Sequence, residues 1–339
     1  MSMKTYFITG ISGFLGRNLT IKLLKQKDIN IIGLVFPNEK NLDFYRQYSN
    51  IQLVEGNILN KDDVKRFLST PRSGEKIVIH LAGKISLFKK GDPNCMSVNV
   101  DGTKNMVDTS LEVGCDKFIY ISSVDSLSRV KGNDVITEQD YYDENKVIGV
   151  YSKSKAIANN YVLDACKRGL KASIMLPTVF IGPNDPFNSP INLAVKKFLK
   201  GKLPALVKGQ YDVADVRDVA DGITNAITNA RPGESYILSG HQIKMIDLIN
   251  KVAILENRKP VKLLIPVFLI KLISPFVELH AKIHRKTPLF TGFSMDCLKQ
   301  NSNYSSSKAI KELGYNSREI DDTLSDLVKW MKESDYLAR

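Results

Sequence analysis

A glycine-rich turn near the N-terminus limits what this chain of 339 residues can fold into. Gly10, Gly13 and Gly16 follow the β-rich run Lys4–Thr9 and precede a stretch whose leucines recur at helical spacing. Glycines so placed permit a tight turn, a close approach of the backbone to a pyrophosphate, and close packing of a helix on a strand. Free N–H groups at the start of that helix bind phosphate oxygens. The turn therefore predicts a dinucleotide-binding site.

Strand and helix patterns alternate through the first half of the chain. Short runs rich in Ile, Val, Phe and Tyr occur at Lys4–Thr9, Asn30–Phe36, Ile51–Glu55, Lys76–Leu81 and Lys117–Ile121. Runs that are apolar on both faces are typical of buried parallel strands, and their alternation with helices predicts a doubly wound sheet. Later patterns predict the helix Val150–Lys167, the strand Ala172–Leu176, and helices at Ile191–Lys200, Val216–Thr228, Ile246–Leu255 and Thr323–Lys332.

The predicted fold class is α/β, a Rossmann-type doubly wound parallel sheet with a smaller, mostly helical C-terminal substrate lobe. A single hydrophobic core rarely exceeds about 250–300 residues, so two units are expected. We expect an NAD(P)-binding domain over residues 1–180 and a substrate-binding lobe over residues 181–339. Segments of the second unit, such as 211–240, are expected to return to the first.

The net charge of +12 is unevenly distributed. Residues 189–210 contain five lysines and no acid, and residues 251–300 contain nine basic side chains against three acidic ones. A solvated basic face and a field that attracts an anionic substrate or a membrane surface both remain open. Nucleic acid is not expected as a partner, because no basic strip interleaved with aromatic residues accompanies the charge.

The cysteines and histidines suggest neither disulfides nor a metal site. The four cysteines, Cys95, Cys115, Cys166 and Cys297, are far apart and form no CxxC pair, which favours a reduced, cytoplasmic protein. His280 and His284 lack an acidic third ligand at a familiar spacing, so no metal is predicted.

Neither a signal peptide nor a membrane span is expected. The N-terminus leads directly into a strand, without the apolar run and cleavage site of a signal peptide. The apolar stretch Leu263–Ile273 is interrupted by Pro266 and Lys271, and it is shorter than the roughly 18 residues that a span requires. The wider segment Lys262–Arg285 has two open interpretations: core and substrate wall of the lobe, or a membrane-facing surface for a lipid-like substrate.

Tyr151 and Lys155 lie at positions i and i+4 of a predicted helix, which places them on the same side. A tyrosine ordinarily titrates near about 10, too high for ready proton exchange at neutral pH. A neighbouring ammonium stabilises the phenolate and lowers its pKa. The pair therefore suggests general acid–base chemistry, although the same spacing also occurs on ordinary solvated helices.

Ser122 and Ser123 directly follow the predicted strand Lys117–Ile121. Ligands of open α/β sheets bind at the carboxyl ends of the strands. A hydroxyl group in that position can hydrogen-bond the oxygen of a carbonyl or alcohol while Tyr151 transfers a proton. Without Tyr151 and Lys155, a simple turn serine would explain the pattern equally well.

Together these residues resemble the extended short-chain dehydrogenase/reductase superfamily, or NAD-dependent epimerase/dehydratase family, over nearly the whole chain. The run Thr9–Gly16 matches its TGxxGxxG motif, Asn99–Thr103 resembles its NVxGT helix start, and Leu176–Pro183 resembles RPxxVxGP with Leu in place of Arg. The resemblance implies that Ser123 is the catalytic serine, Tyr151 the catalytic acid/base and Lys155 its partner, which also binds the nicotinamide ribose. It further implies cofactor contacts from Gly10, Ser12, Gly13, Phe14, Leu15, Gly16, Arg17, Asn57, Ile58, Leu81, Ala82, Gly83, Asn99, Tyr151, Lys155, Pro177, Thr178 and Val179.

The later motifs Lys200–Pro204 and Asp215–Val219 are similar to those of dihydroflavonol-reductase-like and 3β-hydroxysteroid-dehydrogenase-like members. This similarity implies hydride transfer between NAD(P)H and a ketone or secondary alcohol. The alternative is a nucleotide-sugar epimerase or dehydratase with tightly bound NAD, since a basic lobe suits a diphosphate. Dehydratases usually have Thr-Asp-Glu where this chain has Ser123–Asp125, and Asp125 has two open roles, substrate contact or surface cap. A non-catalytic nucleotide-sensing regulator would show a lost tyrosine or lysine, whereas both are present.

The choice between NADP and NAD depends on few residues. NAD-preferring members have an acid at the end of the second strand, and here the first acid is Glu39. Arg17 follows the last motif glycine and Lys40 is close in sequence, where cations could bind a 2′-phosphate. The sequence therefore favours NADP. The family resemblance also implies a homodimer.

Overall fold

The structure of the protein is a computed structural model. It describes residues 3–86, 93–129, 132, 134–269 and 301–338. The histidine pair His280 and His284, Cys297 and most of the segment Lys262–Arg285 lie outside the described residues.

Seven parallel strands form the main sheet, in the order β10-β6-β5-β4-β1-β2-β3. Their bounds are β1 Lys4–Thr9, β2 Ile29–Val35, β3 Ile51–Glu55, β4 Glu75–His80, β5 Lys117–Ile121, β6 Ala172–Pro177 and β10 Ser235–Leu238. The strand order reverses between β1 and β4, and ligands of doubly wound sheets bind outside the carboxyl ends of the strands at such a reversal. The doubly wound α/β fold predicted from the sequence is confirmed.

Helices cover both faces of this sheet. The described helices are α1 Phe14–Leu23, α2 Asp43–Arg46, α3 Lys61–Leu68, α4 Pro93–Met96, α5 Gly102–Val113, α6 Val150–Lys167, α7 Pro190–Leu199, α8 Val216–Asn229, α9 Met245–Leu255, α10 Ser307–Leu313 and α11 Ile320–Glu333. One face packs against α1 and α8 through fully buried side chains such as Leu19 and Ile223. The other packs against α3, α5 and α6 through Phe67, Met106 and Val162. Burial of each such large side chain contributes about 1.5–3 kcal/mol.

The lobe has a hydrophobic core of its own. Val195 of α7, Leu248 and Val252 of α9, and Leu327 and Met331 of α11 are fully buried together. Beside these helices lie two small sheets, one in the order β11-β9-β7 and one of β12 with β8. Their strands are β7 Val179–Ile181, β8 Ala205–Val207, β9 Gln210–Asp215, β11 His241–Lys244 and β12 Leu263–Ile265. The lobe therefore combines helices with short strands.

Four chain segments meet at the carboxyl edge of the main sheet. They are the turn that starts at Gly10, the loop Leu81–Gly83, the pair Ser122–Ser123, and the residues that follow Pro177. Backbone hydrogen bonds join neighbouring segments, from Leu81 N to Thr9 O at 3.2 Å and from Ser122 N to Met175 O at 2.8 Å. This edge therefore contains the residues that the sequence singles out.

Candidate active site

The turn between β1 and α1 packs closely on its surroundings. Gly10 has a φ of +67°, in the left-handed region that favours glycine. A Cβ atom added at Gly10 would lie 2.9 Å from the backbone nitrogen of Ala82. One added at Gly16 would lie 2.5 Å from the carbonyl oxygen of Ile11 and would also collide with the carbonyl oxygen of Gly10. Both glycines are therefore required by close backbone contacts.

The middle glycine, Gly13, is less crowded than the other two. A Cβ atom added at Gly13 would meet, among the described atoms, only the carbonyl oxygen of Gly10 at 3.1 Å. Helix α1 begins at Phe14 without a side-chain cap and without an acidic residue in its first turn. Its first N–H groups lack intrahelical partners and lie at the positive end of the helix dipole. These residues, with Leu15 and Gly16 in the first turn, fit the pyrophosphate of a dinucleotide.

A carboxylate and a guanidinium lie beside this turn. Glu39 folds back from the end of β2, and its carboxylate accepts hydrogen bonds from Ser12 Oγ and from Phe36 N, the latter at 2.8 Å. The guanidinium carbon of Arg17 lies 4.6 Å from the ring centroid of Phe44. Arg17 Nε is buried and has no hydrogen-bond partner in the described part of the chain. The turn thus contacts an acid directly, while Arg17 packs on an aromatic ring.

The loop after β4 lies against both the glycine turn and α6. Ala82 N donates a hydrogen bond to Thr9 Oγ1 at 3.1 Å. A Cβ atom added at Gly83 would lie 3.3 Å from Lys155 Nζ and 3.3 Å from Asn99 Oδ1. The absence of a side chain at Gly83 leaves room beside the lysine.

The Asn99 side chain holds this loop in place. Its Oδ1 accepts from Lys84 N at 2.7 Å, and its Nδ2 donates to Lys84 O and to Ser154 Oγ, both at 2.9 Å. The side chain is fully buried, so these protein contacts use its amide group. Asn99 therefore affects the site by fixing the position of the loop after β4.

Other residues expected to contact a cofactor occupy the same edge of the sheet. Asn57 accepts a hydrogen bond from Leu59 N on its Oδ1 at 3.0 Å, and Ile58 is buried. Thr178 is buried and donates from its backbone N to Leu238 O at 3.2 Å. On either side of Thr178, Pro177 is buried and Val179 is 41% exposed.

Ser123 is placed to donate a proton toward the tyrosine. Its Oγ accepts a hydrogen bond from Asp125 N at 3.1 Å, so its own hydroxyl proton remains available. Ser123 lies beside the Tyr151 phenol and lowers the pKa of Tyr151. Asp125 itself forms an ion pair with Arg129, with 2.7 Å between Oδ1 and Nη2.

Tyr151 lies in the first turn of α6. Burial raises the pKa of Tyr151 above its usual value, and the negative charge of Asp125 raises it further, while the neighbouring Ser123 lowers it. The sequence predicts a pKa lowered by Lys155, whereas here the pKa is raised. Desolvation disfavours the charged phenolate, and the i, i+4 spacing contains no information about burial.

Lys155 is almost completely buried, with 3% of its surface exposed. Its ammonium donates to Ile121 O at 2.8 Å and to Tyr120 Oη at 3.2 Å, and lies 4.7 Å from the Tyr120 ring centroid. Burial lowers the pKa of Lys155 to about 7, and Cys95 shifts it back upward. The lysine is therefore held by neutral groups of β5.

Sequence reasoning did not single out Tyr120, Glu39 or Cys95 as neighbours of the site. In the sequence, only the position of Tyr120 on the strand that leads to Ser123 indicates that it lies near the site. Glu39 comes into contact with Ser12 only because the chain turns back after β2.

The described residues contain neither a membrane-spanning helix nor a cluster of possible metal ligands. No described helix is long and apolar enough to cross a membrane. Across residues 3–86, 93–129, 134–269 and 301–338, no group of three or more His, Cys, Asp or Glu side chains could hold a metal ion.

Comparison with known proteins relates this geometry to a family. The 3-beta hydroxysteroid dehydrogenase/isomerase family matches residues 7–213. A putative dihydroflavonol 4-reductase of Synechocystis sp. is 28% identical over 98% of this chain and 96% of its own length. Sterol demethylase protein B of Methylococcus capsulatus is 24% identical over 97% of this chain and 98% of its own.

Solved structures show the same fold. The crystal structure of gox2253 superposes with a TM-score of 0.81 at 29% identity, covering 98% of each chain. UDP-glucuronic acid 4-epimerase from Bacillus cereus, crystallised with UDP-glucuronic acid and NAD, has a TM-score of 0.74 at 18% identity and covers 98% of this chain and 99% of its own. The family match spans more than half of the chain and includes the glycine turn, Ser123, Tyr151 and Lys155. The chain therefore belongs to the 3-beta hydroxysteroid dehydrogenase/isomerase family and is an enzyme of the extended short-chain dehydrogenase/reductase type.

Proposed function

We propose that this enzyme transfers a hydride between a nicotinamide dinucleotide and a ketone or secondary alcohol, with Ser123, Tyr151 and Lys155 as its catalytic residues. The observation that carries the proposal is the position of Ser123 beside the Tyr151 phenol, close enough to lower the pKa of Tyr151, at the sheet edge that also holds the glycine turn. A buried lysine lies on the same helix, one turn from the tyrosine. An oxygen placed between the two hydroxyl groups would be held by Ser123 and would exchange its proton with Tyr151.

The chain's own residues would divide the work. Gly10, Gly13 and Gly16 shape the turn, and the first N–H groups of α1 bind the pyrophosphate. The bound dinucleotide supplies or accepts the hydride. The Lys155 ammonium favours the phenolate form of Tyr151 when the proton leaves, and it also binds the ribose, as the family resemblance implies. Asp125 opposes this effect through its charge, and Arg129 partly neutralises that charge.

We propose NAD as the preferred dinucleotide. The cations Arg17 and Lys40 favour NADP in the sequence, but the contacts of Glu39 favour NAD. A carboxylate hydrogen-bonded to Ser12 at the glycine turn would repel a 2′-phosphate and accept a hydrogen bond from a ribose hydroxyl. Two of the structural neighbours, the Bacillus cereus epimerase and a Bacillus anthracis dTDP-glucose 4,6-dehydratase, were crystallised with NAD.

We propose an apolar substrate. Exposed apolar side chains occur in the loops after β4, before α6 and after β7: Ile85 is 69% exposed, Ile148 is 51% exposed and Phe187 is 56% exposed. Ile148 lies three residues before Tyr151, in the segment that leads into α6, and Ile85 is two residues beyond Gly83. Relatives include a 3-beta-hydroxysteroid dehydrogenase of Mycolicibacterium neoaurum, 24% identical over 91% of this chain and 86% of its own length. The lobe over residues 181–339 would provide the remainder of the substrate site.

The proposal also covers the location of the enzyme in the cell and its oligomeric state. Cys95, Cys115 and Cys166 are free thiols, which agrees with a cytoplasmic protein. A homodimer is part of the same proposal, and size-exclusion chromatography with light scattering would test it. Sedimentation with anionic vesicles would test whether residues 262–285 contact a membrane.

The first experiment is to heat-denature the purified protein and identify any nicotinamide nucleotide that is released. The emptied protein is then titrated with NADH and NADPH, and turnover of 3β-hydroxysteroids with NAD is followed at the absorbance of NADH. Reversible uptake of NADH and turnover of a hydroxysteroid support the proposal. Retained NAD together with interconversion of UDP-sugars would establish an epimerase instead. Binding of neither nucleotide would contradict the dinucleotide site itself.

A further inference from the structure

Tyr120 makes two contacts with the catalytic lysine, and sequence motifs do not account for either. It lies on β5, three residues before Ser123, and its side chain is fully buried. Lys155 Nζ lies 3.2 Å from its phenol oxygen and 4.7 Å from its ring centroid. Nζ also donates a hydrogen bond to the carbonyl oxygen of Ile121, at 2.8 Å. A buried ammonium is thus held by neutral oxygens and an aromatic face.

A hydrogen-bonded chain lies beside the phenol group of Tyr120. Thr103 donates its only hydroxyl proton to Asn99 O at 2.7 Å, so its oxygen accepts from His80 Nε2 at 3.1 Å. Burial raises the pKa of Tyr120, and Thr103, which lies next to the phenol group, lowers it. The Tyr120 oxygen accepts a hydrogen bond from Lys155 Nζ at 3.2 Å.

The far end of this chain is closed by the glycine turn. His80 donates from Nε2, so its Nδ1 accepts from Thr9 Oγ1 at 2.7 Å, and Thr9 Oγ1 in turn accepts from Ala82 N. Burial, and next the charge of Lys155, lowers the pKa of His80 to about 3, so this ring stays neutral. A neutral His80 keeps the hydrogen bonds of the chain in one direction.

We propose that Tyr120 is a positioning residue of the active site, whose phenol oxygen and ring face hold the Lys155 ammonium in its charged form beside Tyr151. Taking an ammonium out of water disfavours the charged form, and a charge-assisted hydrogen bond and a cation–π contact offset part of that effect. The other titratable groups that face Lys155 are Cys95, His80 and Tyr151, and they belong to α4, β4 and α6. The catalytic meaning of this contact rests on the proposed function.

The test measures the protonation of Lys155 directly, without substrate or nucleotide. Protein labelled with ¹³Cε-lysine is titrated by NMR, and Lys155→Arg identifies the resonance of Lys155. In Tyr120→Phe, which keeps the ring, we expect the pKa of Lys155 to fall by about one unit relative to wild type. Thr103→Val is expected to lower it less, because it removes a polar neighbour of the phenol but leaves the Tyr120 oxygen beside Lys155.

A matched control is Tyr142→Phe. Tyr142 is fully buried in the same hydrophobic cluster as Tyr120, and its variant should leave the pKa of Lys155 unchanged. Thermal unfolding of each variant shows whether it is folded, and Thr103→Val decides the question if Tyr120→Phe does not fold. An unchanged pKa in the folded variant would overturn the inference.

The outcomes separate this inference from the proposed function. If the pKa falls but no nicotinamide nucleotide binds to the wild type, the contact is real and the proposed function is wrong. If nucleotide and hydroxysteroid are turned over but the pKa is unchanged, the function stands and Tyr120 has no positioning role. If both hold, the pH profile of turnover in Tyr120→Phe should shift in the same direction as the pKa of Lys155.

Discussion

The glycine turn and the catalytic centre share one edge of the sheet but are built in opposite ways. At Gly10 and Gly16 the backbone approaches so closely that a single added carbon would collide with it. At Tyr151 and Lys155 the structure contains buried polar side chains, and burial disfavours the charged form of each. Gly10 and Gly16 thus leave no room for an added carbon atom, whereas the proposed catalytic residues depend on the polar atoms of their own side chains. Substitutions at the turn should therefore affect folding and binding, whereas those at the centre should affect chemistry and pH dependence.

The largest effect is expected for Tyr151→Phe. Loss of the phenol proton should reduce turnover by about 10²–10⁴-fold, because general acid–base catalysis contributes about that much. Affinity for NADH, measured by fluorescence titration, should stay close to that of wild type. Tyr161→Phe is the control, since Tyr161 lies on the same helix but hydrogen-bonds Asp108. Turnover similar to wild type in Tyr151→Phe would remove the tyrosine from the mechanism.

Alanine at two glycines of the turn should separate packing from binding. Gly16→Ala forces a carbon against the carbonyl oxygen of Ile11, and we expect the free energy of unfolding to fall by about 3 kcal/mol. Gly13→Ala brings its methyl group against one atom, the carbonyl oxygen of Gly10 at 3.1 Å, so its loss of stability should be smaller, while the methyl group should weaken NADH binding. Urea denaturation and NADH titration of both variants measure the two effects. Equal losses of stability would contradict the difference between these glycines.

Removal of Lys155 should change how stability depends on pH. The pKa of Lys155 is lowered from 10.5 to about 7 by burial, so between these values the unfolded chain binds a proton that the folded chain does not. The free energy of unfolding therefore rises with pH across this window. Below about pH 7 both states are protonated, so this group lowers the free energy of unfolding by a constant amount. Relative to Lys155→Met, the free energy of unfolding of wild type should increase from pH 7 toward pH 10. A constant difference across that range would show that the lysine titrates normally.

The smallest effect is expected for Glu39→Gln. Without the carboxylate beside Ser12, the preference for NADH over NADPH should decrease by about tenfold, or about 1.4 kcal/mol. Glu55→Gln is the control, because Glu55 is exposed at the end of β3. Fluorescence titrations with both nucleotides give the ratio. A wild-type preference for NADPH that Glu39→Gln leaves unchanged would support Arg17 as the determinant instead.

The sequence predicts the elements of the sheet closely, because buried parallel strands have a strong pattern. The runs Lys4–Thr9, Ile51–Glu55 and Lys117–Ile121 and the helix Val150–Lys167 have the same bounds in the structure. The sequence does not predict the small sheets of the lobe, since four of their five strands, all except β9, have only three or four residues and too little periodicity. Placement of Ser123, Tyr151 and the glycine turn at one edge follows from strand order.

The electrostatics of the site could not be predicted in the same way. The partners of Lys155 and the raised pKa of Tyr151 depend on depth below the surface, which residue spacing does not contain. The contact between Glu39 and Ser12 depends on a turn after β2 that joins residues distant in sequence. Motifs therefore identify the chemical groups, and only the fold gives their protonation and partners.

The position of β10 affects how the chain folds during synthesis. Its residues, Ser235–Leu238, pair with β6, but they leave the ribosome only after the intervening residues 178–234 have been made. Until then β6 is an open edge with unpaired backbone groups, and such edges pair with other chains. A chain truncated before residue 235 would keep that edge permanently. In the finished sheet, β10 therefore replaces the six-residue edge strand β6 by an edge strand of four residues, and very short edge strands are one way in which proteins limit pairing with other chains.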